Sequence, residues 1–271
     1  MDNKVSLTAY YCAGVRMLDA ESPEPLLHDL LAGEFMGDEG KRVFDGFRHL
    51  SVPNGTNQVR CFLIDERVRA RLATDQKQKV VLVGAGFDSR AFRLQGGSWL
   101  EIDEAPIIAR KEAIAPQKSA PNPLRRVAID FSRETLAEKL GPFHTITPLL
   151  VIVEGVLMYL TILQRDTLIA ALAEAFPRHT LIADMMRKPF SESYGTATRD
   201  ALAKVGASFR DMEDEPVARF LRQGYRLSEK TSIIAEAIRM KRVPLPQAAL
   251  DAMVADPARR EGYELFVLDR G

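Results

Sequence analysis

A short apolar run that leads directly into Gly-Ala-Gly constrains the fold of this chain most. In KVVLVGAGFDSRAFRL, residues 79–94, four consecutive aliphatic residues precede Gly84, and a charged segment with helical character follows. From there on, short apolar runs alternate with amphipathic stretches, which is typical of repeated βα units. The sequence therefore predicts an α/β, Rossmann-like fold in which a mainly parallel, seven-stranded sheet carries helices on both faces.

Seven segments are expected to form the strands of this sheet, and the amphipathic stretches between them form helices. The helix in DEAPIIARKEAI has Pro106 in its first turn. The helix in TILQRDTLIAALAEAF opens with Thr161 and Gln164 in capping-box spacing and is expected to stop at Pro177. The predicted strands are Val80–Val83, Trp99–Ile102, Arg126–Ile129, Leu149–Val153, Thr180–Ala183, Tyr225–Ile234 and Tyr263–Leu268.

Two parts of the chain lie outside this alternation and are predicted to be helical. Residues 1–75 contain SLTAYYCAGVRMLDA, EPLLHDLLAGEF and TNQVRCFLIDERVRARLA, separated by turn residues in SPEP and VPNG. Residues 187–223 form a second helical insertion, at a place where such folds often carry a substrate lid. We expect a single domain, 1–271, with a helical prelude (1–75), a ligand-binding core (76–186), the lid (187–223) and a C-terminal part with strands and a helix (224–271).

Composition excludes several classes of partner. Lys plus Arg and Asp plus Glu are balanced at 37 each, so nucleic acid and anionic membranes are poor expected partners. The two cysteines, Cys12 and Cys61, stand in no disulfide or zinc spacing, and we expect no metal site. No export signal or membrane-spanning run is apparent. We therefore expect a cytoplasmic protein, while the sequence leaves the oligomeric state open.

The residues of interest lie where predicted strands end. In a parallel sheet, ligands bind outside the carboxyl ends of the strands. At Gly84-Ala85-Gly86 the backbone can approach a ligand closely, although a tight turn without a ligand is the alternative. Asp103 follows nineteen residues after Gly84, the spacing at which an acid meets the hydroxyls of a ribose. The alternative role of Asp103 is a helix cap.

Two later strand ends also carry acids. Asp130-Phe131 ends the third predicted strand, where the acid could accept a hydrogen bond from an adenine amino group while the ring lies against the base. A simple helix-start acid is the alternative there. Glu154 follows LLVIV in the middle of the same edge, and it is either part of a ligand site or of a structural salt bridge.

Two classes of cofactor fit a site of this outline. A dinucleotide fold usually has a third glycine at the position of Ser89 and no helical prelude before the motif, and both expectations fail here. A nucleoside ligand without a pyrophosphate, S-adenosylmethionine, suits the residues better. A nicotinamide-dependent oxidoreductase and a non-catalytic cofactor-binding protein remain as alternatives.

The segments VVLVGAGFDSRAFRL, LEIDEAPIIARKEAI, VAIDF and VIVEGVLMYLT occur in the order and spacing of the leucine carboxyl methyltransferase family. That family includes bacterial O-methyltransferases of small molecules and polyketides. The chain resembles it over roughly residues 5–185, most specifically in GAGFDSR and EGVLMYL. One position departs from the pattern: Leu82 replaces the family's usual acidic or amide residue, which removes one contact near the cofactor and leaves the glycine turn in place.

The resemblance implies S-adenosylmethionine as cofactor and gives each site residue a role. Arg60 would pair with the carboxylate of the methionine moiety, for which its fork geometry is suited. Glu154 would bind the amino-acid end. The full set of implied cofactor-binding residues is Arg60, Gly84, Ala85 and Gly86 near the methionine, Asp103 at the ribose, Asp130 and Phe131 at the adenine, and Glu154.

The positions of the histidines favour a carboxylate as methyl acceptor, because a carboxylate is already ionised at neutral pH whereas a phenol benefits from a base. His144 and His179 precede strands and are expected at the edge opposite the ligand. His28 and His49 could reach the site but are more typical of surface or core residues. No catalytic residue is therefore predicted, and the small-molecule acceptor is expected to lie against Tyr10, Tyr11, Tyr159 and Tyr194.

Overall fold

A seven-stranded sheet runs through the protein in the computed structural model, which describes residues 6–193 and 196–271. The strand order is β3-β2-β1-β4-β5-β7-β6, and β7 runs antiparallel to both of its neighbours. The predicted α/β fold class with a mainly parallel sheet is confirmed. The strands are β1 Lys79–Val83, β2 Ser98–Glu104, β3 Leu124–Ile129, β4 Leu149–Val153, β5 His179–Met186, β6 Arg226–Ser232 and β7 Tyr263–Arg270.

Helices cover both faces of the sheet. Within the described residues, no helix is long and apolar enough to cross a membrane. The helices there are α1 Ser6–Ala20, α2 Leu30–Asp45, α3 Ser51–Thr74, α4 Arg90–Arg93, α5 Ala105–Ile114, α6 Leu136–Leu140, α7 Ile162–Ala175, α8 Lys188–Ser193, α9 Thr196–Lys204, α10 Val217–Arg222, α11 Ile233–Arg239, α12 Gln247–Ala255 and α13 Pro257–Arg260.

The predicted helix boundaries of α5 and α7 are confirmed. Pro106 lies in the first turn of α5, where a missing N–H is tolerated. In α7 the Thr161 hydroxyl accepts a hydrogen bond from the Gln164 backbone, and the Gln164 side chain accepts one from the Thr161 N–H at 2.9 Å. Helix α7 ends at Ala175, ahead of Pro177.

Two expectations about the prelude are wrong. The VPNG segment is not a turn between helices but the start of α3, because Pro53 needs no N–H partner in the first turn and Asn54 donates its side-chain amide to the carbonyl of Phe47. Helix α2 begins at Leu30 rather than within EPLLHD. His28 has a φ of 52°, which no α-helix allows, and the Asp29 side chain caps the helix at Ala32 N.

The predicted strand Tyr225–Ile234 is also too long. Strand β6 ends at Ser232, whose hydroxyl accepts a hydrogen bond from Ala235 N and thereby caps α11. Ile233 and Ile234 are fully buried in that helix rather than in the sheet. The expected helical insertion between the fifth and sixth strands is present as α8, α9 and α10.

Alternation along the central strands builds two apolar cores. Val80 and Leu82 of β1 belong to the core beneath α3 and α11, whereas Val81 and Val83 belong to the opposite core beneath α7. Because both faces of β1 and β4 are buried, these strands are uninterrupted aliphatic runs. Strands β1 and β4 are neighbours although β2 and β3 intervene in sequence, so the direction of chain progression reverses there and leaves a crevice at the carboxyl ends.

Candidate functional site

The glycine turn lies in this crevice, directly after β1. Gly84 and Gly86 have φ angles of 70° and 47°, a region that favours glycine. A Cβ on Gly84 would overlap the Val156 side chain, so that glycine is required by packing. A Cβ on Gly86 would meet nothing closer than Ala9 Cβ at 3.6 Å. The backbone at Gly86 is therefore open for a ligand to approach.

Asp103, at the end of β2, faces the same turn. Its carboxylate accepts hydrogen bonds from Gly86 N and from Glu104 N, each at 2.6 Å. Burial raises the pKa of Asp103 to about 6, although the two backbone hydrogen bonds favour the ionised form and partly offset the effect of burial. In the described part of the chain no Lys, Arg or His forms an ion pair with it. Asp103 is thus an acid beside the glycine turn that additional hydrogen-bond donors would stabilise in its ionised form.

Asp130 and Phe131 follow β3 and are exposed. The Asp130 carboxylate accepts hydrogen bonds from the backbone and the hydroxyl of Ser132, at 2.9 and 2.5 Å, which lower its pKa. Phe131 is 43% exposed, although apolar rings are usually buried. The local turn accounts for the acid without any ligand, so the adenine role of both residues stays a prediction.

Glu154, after β4, lies between two guanidinium groups. Arg60 Nε is 3.0 Å from one carboxylate oxygen, and Arg90 Nη1 is 2.8 Å from the other. Burial alone would raise the pKa of Glu154, but the charges of Arg90 and Arg60 outweigh it and lower the pKa to about 2. Glu154 is therefore ionised at any pH at which the protein is used, and its predicted contact with the cofactor would add to this ion-pair network.

Arg60 reaches the site from the middle of α3 and is buried. Besides Glu154, its Nη1 donates to the Tyr263 hydroxyl at 2.7 Å and to Asp184 at 3.5 Å. Its Nη2 lies 3.7 Å from the sulfur of Cys12 and has no other hydrogen-bond acceptor within the described residues. The guanidinium is therefore fixed beside the end of β4 with one edge still able to donate, and its predicted role toward a ligand carboxylate is untested.

Three residues of this network were not singled out from the sequence. Asp184, at the end of β5, is fully buried and accepts hydrogen bonds from Gly155 N at 2.6 Å and from the Tyr263 hydroxyl at 2.7 Å. Arg90 is fully buried between Glu154, Asp65 and Asp88. A lone acid in the apolar run TLIADMM could have revealed Asp184, since buried acids need partners. Tyr263 had no such signal because it is 203 residues from Arg60.

A cavity of about 60 Å³ opens beside Arg60 and Gly155. Tyr11 and Tyr159 line it, whereas Tyr10 does not, because its hydroxyl bonds to Glu39 and its ring packs on Phe87. The contact of these tyrosines with an acceptor stays a prediction. Tyr194 lies outside the described residues. The residues that line the cavity are Tyr11, Cys12, Pro53, Thr56, Asn57, Arg60, Gly155, Met158, Tyr159, Met186, Phe190, Thr198, Phe209 and Tyr263.

The insertion covers one side of this cavity and is fixed in place by Arg165 of α7. Arg165 donates to the carbonyl oxygens of Arg210 and Asp211 at 2.7 and 2.8 Å and pairs with Glu213 at 3.0 Å. These bonds hold the neighbouring Phe209, whose ring centroid lies 5.8 Å from that of Tyr159. The insertion therefore contributes an aromatic wall to the cavity, and its role as a substrate lid stays a prediction.

No histidine or carboxylate lines the cavity among the residues that the structure describes. His179 begins β5 at the opposite edge, where its ring bonds to Phe176 O and the Tyr225 hydroxyl and burial lowers its pKa. His28 and His49 are exposed. Burial raises the pKa of both Tyr159 and Tyr263, so neither phenol ionises readily. Among the described residues, the cavity therefore contains no group suited to act as a general base.

Known proteins similar to this chain are methyltransferases by name. Residues 9–173 match the family model of leucine carboxyl methyltransferase. A Mycobacterium tuberculosis (strain H37Rv) protein named as an S-adenosyl-L-methionine-dependent methyltransferase is 30% identical over 198 residues, which are 66% of this chain and 65% of that protein. A Streptomyces coelicolor protein that is also named as an S-adenosyl-L-methionine-dependent methyltransferase is 29% identical over 180 residues, which are 59% of this chain and 58% of that protein.

The chain thus spans somewhat less than two thirds of the length of these curated relatives. A crystal structure of a DUF574 family protein from Streptomyces avermitilis has a TM-score of 0.62, with 97% of both chains covered at 13% identity, a likeness that concerns the fold alone. The family model covers more than half of the chain and ends within α7. The chain therefore belongs to the leucine carboxyl methyltransferase family.

Proposed function

We propose that this protein is an O-methyltransferase that converts a carboxylate of a small-molecule acceptor into a methyl ester. The observation that carries the proposal is the cavity beside Arg60 and Gly155, which is mainly apolar and, within the described residues, contains no general base. A carboxylate, with a pKa near 4, needs no base to become a nucleophile at neutral pH. An alcohol or phenol would need one.

The residues at the sheet edge fit S-adenosylmethionine. Asp103 is a buried acid without an ion pair in the described chain, and two ribose hydroxyls would supply the donors that it lacks. The open backbone of Gly86 leaves room beside it. We assign the ribose to Asp103, the methionine moiety to Gly84–Gly86, Arg60 and Glu154, and the adenine to Asp130 and Phe131, as the family resemblance implies.

Bound S-adenosylmethionine supplies a methyl group on a positively charged sulfur, and an acceptor oxygen takes this group with its own electron pair while the electrons of the C–S bond stay on sulfur. A carboxylate acceptor becomes a neutral ester in this transfer, so no proton has to move. The protein's part is to hold the oxygen in line and to exclude water. Phe190, Phe209 and Met158 of the cavity wall are suited to the second task.

The position of the cavity supports its role as the acceptor site. It adjoins Gly155 and Arg60, which also adjoin the proposed place of the methionine moiety, so an acceptor there would lie next to the transferable methyl group. The helical insertion closes the cavity from one side through Phe209 and Thr198. A space bounded in this way favours a small molecule over the C-terminus of a protein.

The test is a panel of carboxylic acids and phenols incubated with the protein and S-adenosylmethionine labelled in its methyl group. The proposal predicts a product that is a methyl ester, which mild base hydrolyses. A base-stable methyl ether as the sole product would show that the acceptor is a hydroxyl. Labelling of a peptide with a free C-terminus in preference to every small acid would show that the acceptor is a protein.

A further inference from the structure

A second, smaller cavity lies directly behind the first. It has a volume of about 20 Å³ and shares Met158 and Met186 with the acceptor cavity. The two methionine side chains therefore form the partition between the cavities. The remaining residues around the second cavity are Leu157, Arg165, Met185, Met212, Glu213, Pro216 and Phe220.

The partition consists of side chains that can move without disturbing the backbone. Met158 is anchored through its carbonyl oxygen, which accepts a hydrogen bond from Arg210 N at 2.8 Å, and Met186 is paired with Tyr263 in the sheet. Methionine is unbranched and changes rotamer easily, so it fills gaps and yields to ligands. A Leu or Ile partition would be stiffer. These two residues can therefore open a passage between the cavities while the fold stays unchanged.

The chemistry of the second cavity selects what could enter it. Five of the residues that it does not share with the first are apolar, and its two charged residues, Arg165 and Glu213, are paired with each other at 3.0 Å. Arg165 also donates to two carbonyl oxygens of the insertion. A charged group would find no free partner there, whereas an aliphatic or aromatic tail would bury apolar surface.

We infer that the acceptor is an elongated apolar acid whose carboxylate lies beside Gly155, next to the proposed place of the methionine moiety, and whose tail passes Met158 and Met186 into the second cavity. The assignment of the carboxylate end rests on the proposed function. The assignment of the tail rests on the shared methionine partition. Met186 is thereby a specificity-determining residue that sets the acceptor length the protein accepts.

The experiment uses ω-phenylalkanoic acids of increasing chain length, whose dissociation constants are measured by calorimetry on the full chain saturated with S-adenosylhomocysteine. Met186→Phe should weaken the longer acids by about tenfold or more relative to the shortest acids, because a hydrophobic pocket discriminates to this degree per missing or added group. Met186→Ala should retain or improve binding of the longer acids. The matched control is Met212→Ala, which alters the second cavity only and should leave the shortest acids unaffected.

An equal effect of Met186→Phe on short and long acids would overturn the inference, as would a Met186→Ala length profile identical to that of the wild type. A parallel series of 4-alkylphenols separates this inference from the proposed function. If phenols bind and are methylated while acids are not, the proposed carboxylate chemistry is wrong. The length dependence of the phenols in the Met186 variants then still decides whether the methionine partition limits the acceptor.

Discussion

The proposed cofactor edge and the proposed acceptor cavity are adjacent, yet they are built in different ways. That edge consists of residues that follow β1, β2, β3 and β4 together with Arg60 of α3, and Glu154 is fixed there by ion pairs with Arg60 and Arg90. The acceptor cavity collects mainly apolar side chains from α1, α3, the end of β5, the insertion and β7. The cofactor edge is thus a polar site at the carboxyl ends of the strands. The acceptor cavity is an apolar space enclosed largely by helices and by the insertion.

This difference teaches where sequence variation is tolerated. A buried guanidinium that loses its carboxylate costs several kcal/mol, so the charged edge tolerates few substitutions. Apolar walls tolerate exchanges that preserve approximate volume. We therefore expect substitutions in the acceptor cavity to leave cofactor affinity intact, whereas substitutions at the charged edge should impair both the cofactor site and the fold. The predictions below test this asymmetry.

Arg90→Met should have the largest effect, on stability itself. The substitution leaves Asp65 and Glu154 with fewer cations in a buried place, and we expect the free energy of unfolding to fall by about 3–5 kcal/mol in urea denaturation. Arg69→Met is the matched control, because Arg69 also pairs with Asp65 but its side chain is 44% exposed. Loss of this exposed pair should lower the free energy of unfolding by only about 0–1 kcal/mol. Equal losses in both variants would show that the buried network is not the source of stability.

Asp103→Ala should act on the cofactor rather than on the fold. Removing a charged acceptor of the ribose hydroxyls should weaken binding of S-adenosylhomocysteine by about 1.5–3 kcal/mol in calorimetry. Asp75→Ala removes an acid that also accepts a backbone hydrogen bond, but at the amino end of β1, and should leave the affinity unchanged. Full affinity in Asp103→Ala would mean that Asp103 only braces the turn at Gly86.

Phe209→Ala should weaken binding of the acceptor and leave binding of the cofactor unchanged, the opposite of Asp103→Ala. It removes part of the aromatic wall that the insertion contributes, so acceptor binding should weaken about fivefold to tenfold, in line with about 1 kcal/mol for a half-buried ring. Affinity for S-adenosylhomocysteine should stay the same. Phe143→Ala removes a half-buried ring that lines neither cavity and should change neither affinity. A loss of cofactor affinity in Phe209→Ala would remove the proposed separation of the two regions.

The smallest effect concerns the proton on Asp103. The pKa of its carboxyl is raised to about 6, and hydrogen bonds from a ribose would favour the ionised form. Cofactor binding should therefore tighten as pH rises through about 6 and release at most about one proton, which calorimetry in buffers of different ionisation enthalpy detects. Asp103→Asn should abolish this release. Proton uptake, or none at all in the wild type, would contradict the assignment.

The same raised pKa has a consequence for stability in the absence of ligand. The ordinary carboxyl pKa of 3.8 applies to the unfolded chain, so between that value and about 6 the folded state binds more protons at Asp103. The contribution of Asp103 to the free energy of unfolding therefore decreases as pH rises through this window. Glu154 contributes in the opposite sense, because its lowered pKa adds stability that is lost as pH falls from the ordinary value of 4.5 to about 2.

The sequence was informative where local rules decide the structure. Uninterrupted aliphatic runs predicted the central strands, and the spacing after Gly84 placed Asp103 beside the glycine turn, where it accepts a hydrogen bond from Gly86 N. It failed where long-range contacts or local exceptions decide. Asp184 and Tyr263 join Arg60 from distant parts of the chain, and VPNG reads as a turn although tertiary packing draws it into α3.

The most direct test of the account is the single-turnover rate of methyl transfer to an active acceptor as a function of pH, with saturating S-adenosylmethionine. Because a carboxylate needs no base and the cavity provides none within the described residues, we predict a nearly constant rate from about pH 6.5 upward while the protein stays folded. A rate that instead climbs about tenfold per pH unit through neutrality would show that the acceptor loses a proton before or during transfer. Such a result would contradict the proposed carboxylate chemistry.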